Sequence, residues 1–216
     1  MATRIRPYEQ RDRDAVRTIC FETGYLGDPV APSFGDFACW ADMLTAYYTE
    51  REPESSFVVD VDGKVVGYLL GTLDARKVPA AEMIAIRHGL LRLLPLRPGT
   101  SGFYWRSLYD TVRDAISAPA PQMHPDLALY PGHAHFSVLP EARSLPVAPG
   151  LFRTFFKYAR ERGCPGLHGE VFIENERALA LNKALGYEIA GSPWPAVGIR
   201  ARDGGRLHVQ LLVRRL

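Results

Sequence analysis

Along the chain the apolar positions change their period several times, and each change marks an element. Thr3 to Tyr8 reads as a short strand. Asp12 then stands where an N-cap would, and Val16, Ile19 and Cys20 share one face of a helix that Gly24 should end. Tyr25 to Phe37 is rich in Gly, Pro and Asp and predicts a loop, after which Trp40, Met43, Leu44 and Tyr47 recur at helical spacing as a core-facing stripe. From Phe57 to Gly71 two β-rich runs meet at Asp62-Gly63, the dipeptide favoured in a tight antiparallel turn, and predict a hairpin. Beyond Asp74 the pattern turns helical. Met83 to Leu94 predicts a helix stopped by Pro95, and Trp105, Leu108, Tyr109, Val112 and Ile116 fall on one face of a second. Residues 78–130 are expected to be a helical insertion lying over the sheet, with Ala118 to Pro131 a loop.

The second half alternates. His133 to Leu139 is strand-like, and Pro149 suits the first turn of a helix burying Leu151, Phe152, Phe155, Phe156 and Ala159 before Gly163 closes it. Leu167 to Ile173 is another strand, Asn175 can cap a helix running to Leu185, and Leu207, Val209, Leu211 and Val213 predict a terminal strand. A hairpin followed by strand–helix–strand–helix–strand predicts an α/β (α+β) domain built on a mixed sheet, one unit over residues 1–216 without internal repeats.

Composition narrows the function. With 216 residues, 47% hydrophobic and 23% charged, the chain is long enough to bury a core without staples. Its 26 basic and 24 acidic residues give a formal charge of +2, so no net field draws it to nucleic acid or to an anionic membrane, and neither partner is expected. Cys20, Cys39 and Cys164 are odd in number and lack CxxC spacing, which suits packing in a reducing compartment. The charged N-terminus and the lack of any run of about 18 apolar residues predict a cytoplasmic protein.

The candidate chemistry gathers around His133–Ala148, where a strand turns into a helix N-terminus. Unpaired backbone donors and the positive end of the helix dipole converge there, an arrangement that binds phosphate. The run Val138-Leu-Pro-Glu-Ala-Arg143-Ser-Leu-Pro-Val-Ala148 resembles the acyl-CoA signature of the GNAT superfamily, an R-x-x-G-x-G/A turn. Asn175-Glu-Arg-Ala178-Leu-Ala-Leu181-Asn-Lys-Ala-Leu185-Gly186-Tyr187 is similar to the family's N-x-x-A-x-x-L-Y-x-K-L-G-F segment. More narrowly, Tyr130-Pro-Gly-His133-Ala-His135-Phe-Ser-Val-Leu139-Pro140-Glu141 resembles a stretch of bacterial GNAT proteins related to the acetyltransferase-like domain of O-GlcNAcase. Those relatives also carry a helical insertion after the first hairpin.

This resemblance implies a sheet splayed between its fourth and fifth strands, with the pantetheine arm of acetyl-CoA, or another acyl-CoA, in the gap. By position, backbone atoms of Phe136, Val138 and Leu139 would meet the arm. Arg143, Ser144, Leu145, Val147 and Ala148 would offer N–H groups to the pyrophosphate, and Asn175 would lie on the far side. It further implies transfer of an acetyl group to a primary amine of a small molecule or peptide, and family members often dimerise. Three positions depart from the pattern. Pro146 stands where a glycine is expected and supplies no N–H, Asn182 replaces a tyrosine that protonates the departing thiolate, and Ser137 replaces an aspartate of the narrower group. A longer or carrier-bound acyl donor, or a non-catalytic binding module, are the alternatives those changes leave.

Acyl transfer needs a base for the ammonium and donors for the oxyanion. His135 leads the candidates because an imidazole titrates near neutrality, and His133 and Ser137 share its strand face. Glu141 and Glu170 are fallback bases, and all of these side chains are equally consistent with structural hydrogen bonding. Tyr25, Phe103, Tyr104 and Trp105 are expected to shape the acceptor pocket. His124, His133 and His135 have no Cys or carboxylate at ligand spacing, so no metal is expected. Arg87, His88, Arg92 and Arg97 make the insertion locally basic.

Overall fold

The computed structural model describes residues 2–30, 34–92, 101–117, 122–144 and 146–216. Strand β1 (Thr3–Pro7) and helix α1 (Arg13–Thr23) come first, then α2 (Phe37–Ala41), a π-helical turn (Asp42–Ala46) and α3 (Tyr47–Glu50). Next are β2 (Phe57–Val61), β3 (Lys64–Thr72), α4 (Ala81–Arg92) and α5 (Ser101–Ser117). The second half holds β4 (Gly132–Val138), α6 (Val147–Glu161), β5 (Gly166–Phe172), α7 (Glu176–Ala184), β6 (Glu188–Arg200) and β7 (Arg206–Arg215). The strands form one sheet in the order β1-β2-β3-β4-β5-β7-β6, antiparallel throughout except where β4 meets β5.

The expected hairpin is present. Asp62 and Gly63 both have positive φ, 49° and 88°, the geometry a two-residue turn needs to match strand twist. Two cores flank the sheet. On one face α1, α2 and α3 pack Val16, Ile19, Cys20, Trp40 and Tyr48 onto Val58, Tyr68 and Leu70. On the other, the Leu151, Phe152, Phe155, Phe156 and Ala159 stripe of α6 covers Val59, Leu69 and Leu167. No helix among the described residues is long and apolar enough to cross a membrane.

Several elements differ from expectation, each for a physical reason. Asp12 does not cap α1 with its side chain; its carboxylate grips Arg6 at 2.6 and 2.8 Å and accepts the Glu9 amide, so a buried ion pair takes the place of a cap. The π-helical turn adds one residue between α2 and α3 and shifts the helical face. Tyr48 is therefore the fully packed ring, while Tyr47 reaches the edge and donates to Glu52 at 2.8 Å. Strand β6 was not expected because Pro193 and Pro195 interrupt it. It lies at the edge of the sheet, where prolines need not donate to a ladder, and its pairing with β7 shifts register twice.

The insertion departs most. Trp105, Leu108, Tyr109, Val112 and Ile116 do share one face of α5, yet they are 56, 54, 61, 53 and 81% exposed. The opposite face docks. Asp110, fully buried, holds Arg200 at 2.5 and 2.7 Å and accepts the Gly198 amide at 2.9 Å, while Asp114 holds Arg206 at 2.6 and 2.9 Å. Gly198 has φ +76°, and a side chain there would collide with Phe103 and Ser107, so a glycine permits this close approach. The first insertion helix ends, within the described residues, at Arg92; Leu94, Pro95 and Arg97 lie outside them.

Candidate active site

Strands β4 and β5 run parallel but pair only at Gly132↔Leu167 and His133↔His168. Past His133 they part, while β4 stays paired to β3 as far as Val138. The Leu139 amide donates to the Val66 carbonyl at 2.9 Å, which sets the alternation of the ladder. Residues bonded to β3 alternate with residues whose N–H and C=O point the other way, so Ala134, Phe136 and Val138 turn their backbone polar groups into the opening. Above that opening lies a cleft of about 2080 Å³. Single-ligand pockets are typically ~300–1,000 Å³, so this one has room for two substrates side by side.

At one end the cleft meets the start of α6. Ser144, Val147 and Ala148 line it; Leu145 lies outside the described residues. Pro146 occupies the N-cap position and Pro149 the first turn, so of the helix-start amides over that stretch those of Val147 and Ala148 are left to face the cleft. Arg143 is anchored. Its guanidinium donates to the Gly27 carbonyl and, at 3.2 Å, to the Val138 carbonyl, tying the loop after α1 to the end of β4. Burial and the charge of Arg177 pull its pKa down. Arg177, in the first turn of α7, also lines the cleft and is a cation that the sequence motifs did not single out.

Across the cleft is a histidine–tyrosine network. Tyr48 Oη lies 2.8 Å from His133 Nδ1, and Tyr68 Oη lies 3.3 Å from His135 Nδ1. The His133 ring packs on His168, centroids 5.1 Å apart. His168 Nδ1 is 2.8 Å from the Tyr130 carbonyl, which can only accept; Nδ1 therefore carries the proton and Nε2 the lone pair. Burial pushes His135 down to about 4 and, with the neighbouring histidines, His133 down to about 3. Both rings are neutral at pH 7. Burial likewise lowers His168, against the pull of its carbonyl partner. Glu170, on the splayed half of β5, lines the same space.

The remaining sequence candidates divide. Ser137, Phe136, Val138 and Asn175 line the cleft, with the Asn175 side chain capping α7 at Ala178 at 3.1 Å. Asn182 reaches back to its own helix at Ala178 at 2.9 Å. Phe103, Tyr104 and Trp105 line the far wall, Phe103 packed on Phe34 with centroids 4.2 Å apart. Three residues stand apart from the lining. Tyr25 is buried with its hydroxyl donating to the Arg200 carbonyl at 2.9 Å, Glu141 faces solvent beside Lys64, and Leu139 packs between the two cores. The network partners Tyr48 and Tyr68 carried no motif; only the two-residue alternation of β3 could have placed Tyr68 opposite the histidines.

The fold has counterparts among solved structures. A protein named SsHAT is 24% identical over 100% of this chain and 98% of its own, with a TM-score of 0.68. This is the GNAT fold. A GNAT superfamily phosphinothricin acetyltransferase from Sinorhizobium meliloti, solved in complex with acetyl-CoA, superimposes at TM-score 0.59 with 16% identity over 100% of this chain and 89% of its own. A GCN5-related N-acetyltransferase from Kribbella flavida gives 0.60 and 16% over 100% and 98%. A scan against protein-family models finds no match. The GNAT comparison covers the full length of this chain, insertion included, and corresponds to the expected mixed sheet splayed between β4 and β5.

Proposed function

We propose that this protein is an N-acetyltransferase that moves an acetyl group from acetyl-CoA to the primary amine of a small molecule or peptide. The observation that carries this reading is the abrupt end of β4–β5 pairing after His133, which leaves a row of strand amides and carbonyls facing a cleft. An extended pantetheine arm has amides of its own and can complete that edge as a missing strand would. Acetyl-CoA supplies the activated thioester.

The residues of the chain divide the remaining work. Val147 and Ala148 offer N–H groups to the pyrophosphate, and Arg177, close enough to Arg143 to act on its charge, adds a cation. An amide on the open edge of β4 meets the carbonyl oxygen as it gains negative charge, a stabilisation that acts in the transition state. His135, held neutral, accepts a proton from the attacking amine, with Tyr68 fixing its ring, and His133, Ser137 and Glu170 line the same route. Because so strongly depressed an imidazole is a weak base, the amine reacts from its neutral form. Trp40, Met43, Leu44, Phe103, Tyr104 and Trp105 make the acceptor side apolar and aromatic, which favours an acceptor whose amine sits on a hydrophobic body.

The test is thiol release from acetyl-CoA with a panel of primary amines, run beside wild type with His135→Asn. Amine-dependent turnover that falls in the variant supports the reading. Thioester binding without turnover for any amine would instead favour the non-catalytic module.

A further inference from the structure

A separate cluster lies where the insertion meets the helices that precede it, outside the lining of the cleft. Asp36 precedes α2, Cys39 lies within it and His88 lies on α4; one ligand atom from each falls within 4.8 Å of the other two. Asp36 and Cys39 are buried, and the His88 side chain is 15% exposed. The bonding of His88 is lopsided. Its Nε2 stands 3.0 Å from Asp42 Oδ2, while its Nδ1 is buried without any hydrogen-bond partner. A carboxylate accepts, so Nε2 carries a proton, and in the neutral ring Nδ1 is a buried lone pair; leaving that atom without a partner costs about 1–3 kcal/mol.

From this geometry we infer that Asp36, Cys39 and His88 form a site for a transition-metal dication, with Zn²⁺ the ion it fits best. Thiolate, imidazole and carboxylate are the three ligand types zinc takes, and a tetrahedral site with three protein ligands leaves a fourth place for water. Ligand atoms around tetrahedral zinc lie about 3.5 Å apart, and the three here all fall within 4.8 Å of one another, so small side-chain shifts suffice to close the site. Binding releases the thiol proton of Cys39 to solvent, and the resulting thiolate and Asp36 balance the charge of the ion in a buried place. The surroundings already have an outer layer. Asp42 orients His88 and is itself held by Arg17 at 2.5 Å, and Tyr104 donates to Asp36 Oδ2 at 3.4 Å while Asp36 Oδ1 caps the Cys39 amide at 3.1 Å. Such an ion would join α2 to α4 and, through Tyr104, to α5. The site is structural in character: it fastens the insertion over the acceptor side. Nothing in the sequence spacing announces it, because His88 is far from the Asp36-Phe-Ala-Cys39 run along the chain.

Co²⁺ titration of the full-length, chelator-treated protein tests this with a signature that only thiolate ligation produces. The inference expects one equivalent of Co²⁺, tetrahedral visible bands and a near-ultraviolet sulfur-to-cobalt charge-transfer band, all displaced by Zn²⁺. Cys39→Ser should abolish the charge-transfer band, His88→Gln should weaken binding at least tenfold, and Asp42→Asn should weaken it about 10–100-fold. Folded wild type that shows no charge-transfer band, or a band that survives in Cys39→Ser, overturns the site. Should Cys39→Ser fail to fold, unchanged Co²⁺ affinity in His88→Gln would overturn it equally.

Discussion

Asp110 on the insertion helix and Arg200 at the end of β6 are joined by two hydrogen bonds of 2.5 and 2.7 Å, with the carboxylate fully buried. Together with Asp114 and Arg206 this pair turns the acidic face of α5 inward and its apolar face outward. Asp110 sits below the usual carboxylate range: its burial acts to raise the pKa, but the hydrogen bonds from Arg200 and Gly198 outweigh it. Replacing Asp110 with alanine leaves Arg200 without its partner, and breaking a buried pair in this way costs about 3–5 kcal/mol. Denaturant unfolding of Asp110→Ala should show that loss, with early proteolysis within residues 101–117. A change under about 1 kcal/mol would mean that α5 is held by packing alone.

The neutral histidines make a prediction about stability and pH. His133 and His135 have folded values near 3 and 4 against an ordinary 6.5. Between 6.5 and those values the unfolded chain binds more protons than the folded one, so stability is intact above pH 6.5 and falls as pH drops toward 4. The loss by pH 4 should be on the order of a few kcal/mol. Melting temperatures from pH 7.5 to 4.5 should decline more steeply in wild type than in His133→Gln/His135→Gln. Parallel curves would contradict the burial argument.

The same shifts bear on the rate. With both imidazoles uncharged throughout the neutral range, turnover between pH 6 and 9 should rise with the fraction of neutral acceptor amine and follow the pKa of the amine used. A limb near 6.5 that stays fixed when the amine is changed, and vanishes in His135→Asn, would show instead that His135 titrates as an ordinary imidazole.

Trp105 lines the cleft, is 56% exposed, and in the proposed reading belongs to the acceptor side. Trp105→Ala should therefore raise the acceptor KM severalfold while leaving the acetyl-CoA Kd within about twofold. Equal effects on both would remove it from the acceptor wall.

Much of this architecture was legible in the residues. Asp62-Gly63 gave away the hairpin, the Leu151–Ala159 stripe the main helix, and the Tyr130–Tyr187 motifs the splay between β4 and β5. What escaped detection were features created by long-range geometry. The extra residue of the π-helical turn puts Tyr48 rather than Tyr47 into the core, where it meets His133. The apolar stripe of α5 has the right period for a core face, but Arg200 and Arg206 select the other face, a choice set by residues far along the chain. Glu141 and Tyr25 lie close in sequence to cleft residues without reaching the cleft, since the turn after β4 and the turn after α1 point them elsewhere. Arg143 has the position of a phosphate ligand, and its guanidinium instead ties Gly27 to Val138.

In the proposed reading the gap between β4 and β5 and the N-terminus of α6 receive acetyl-CoA. Calorimetric titration of the full chain with acetyl-CoA, beside an acetylated pantetheine lacking the nucleotide, tests it most directly. Micromolar binding of acetyl-CoA with a stoichiometry of one is expected, and at least tenfold weaker binding of the truncated thioester, because Val147, Ala148 and Arg177 would have lost the pyrophosphate. Equal affinities would contradict the pyrophosphate site, and no binding of either compound would contradict the claim as a whole.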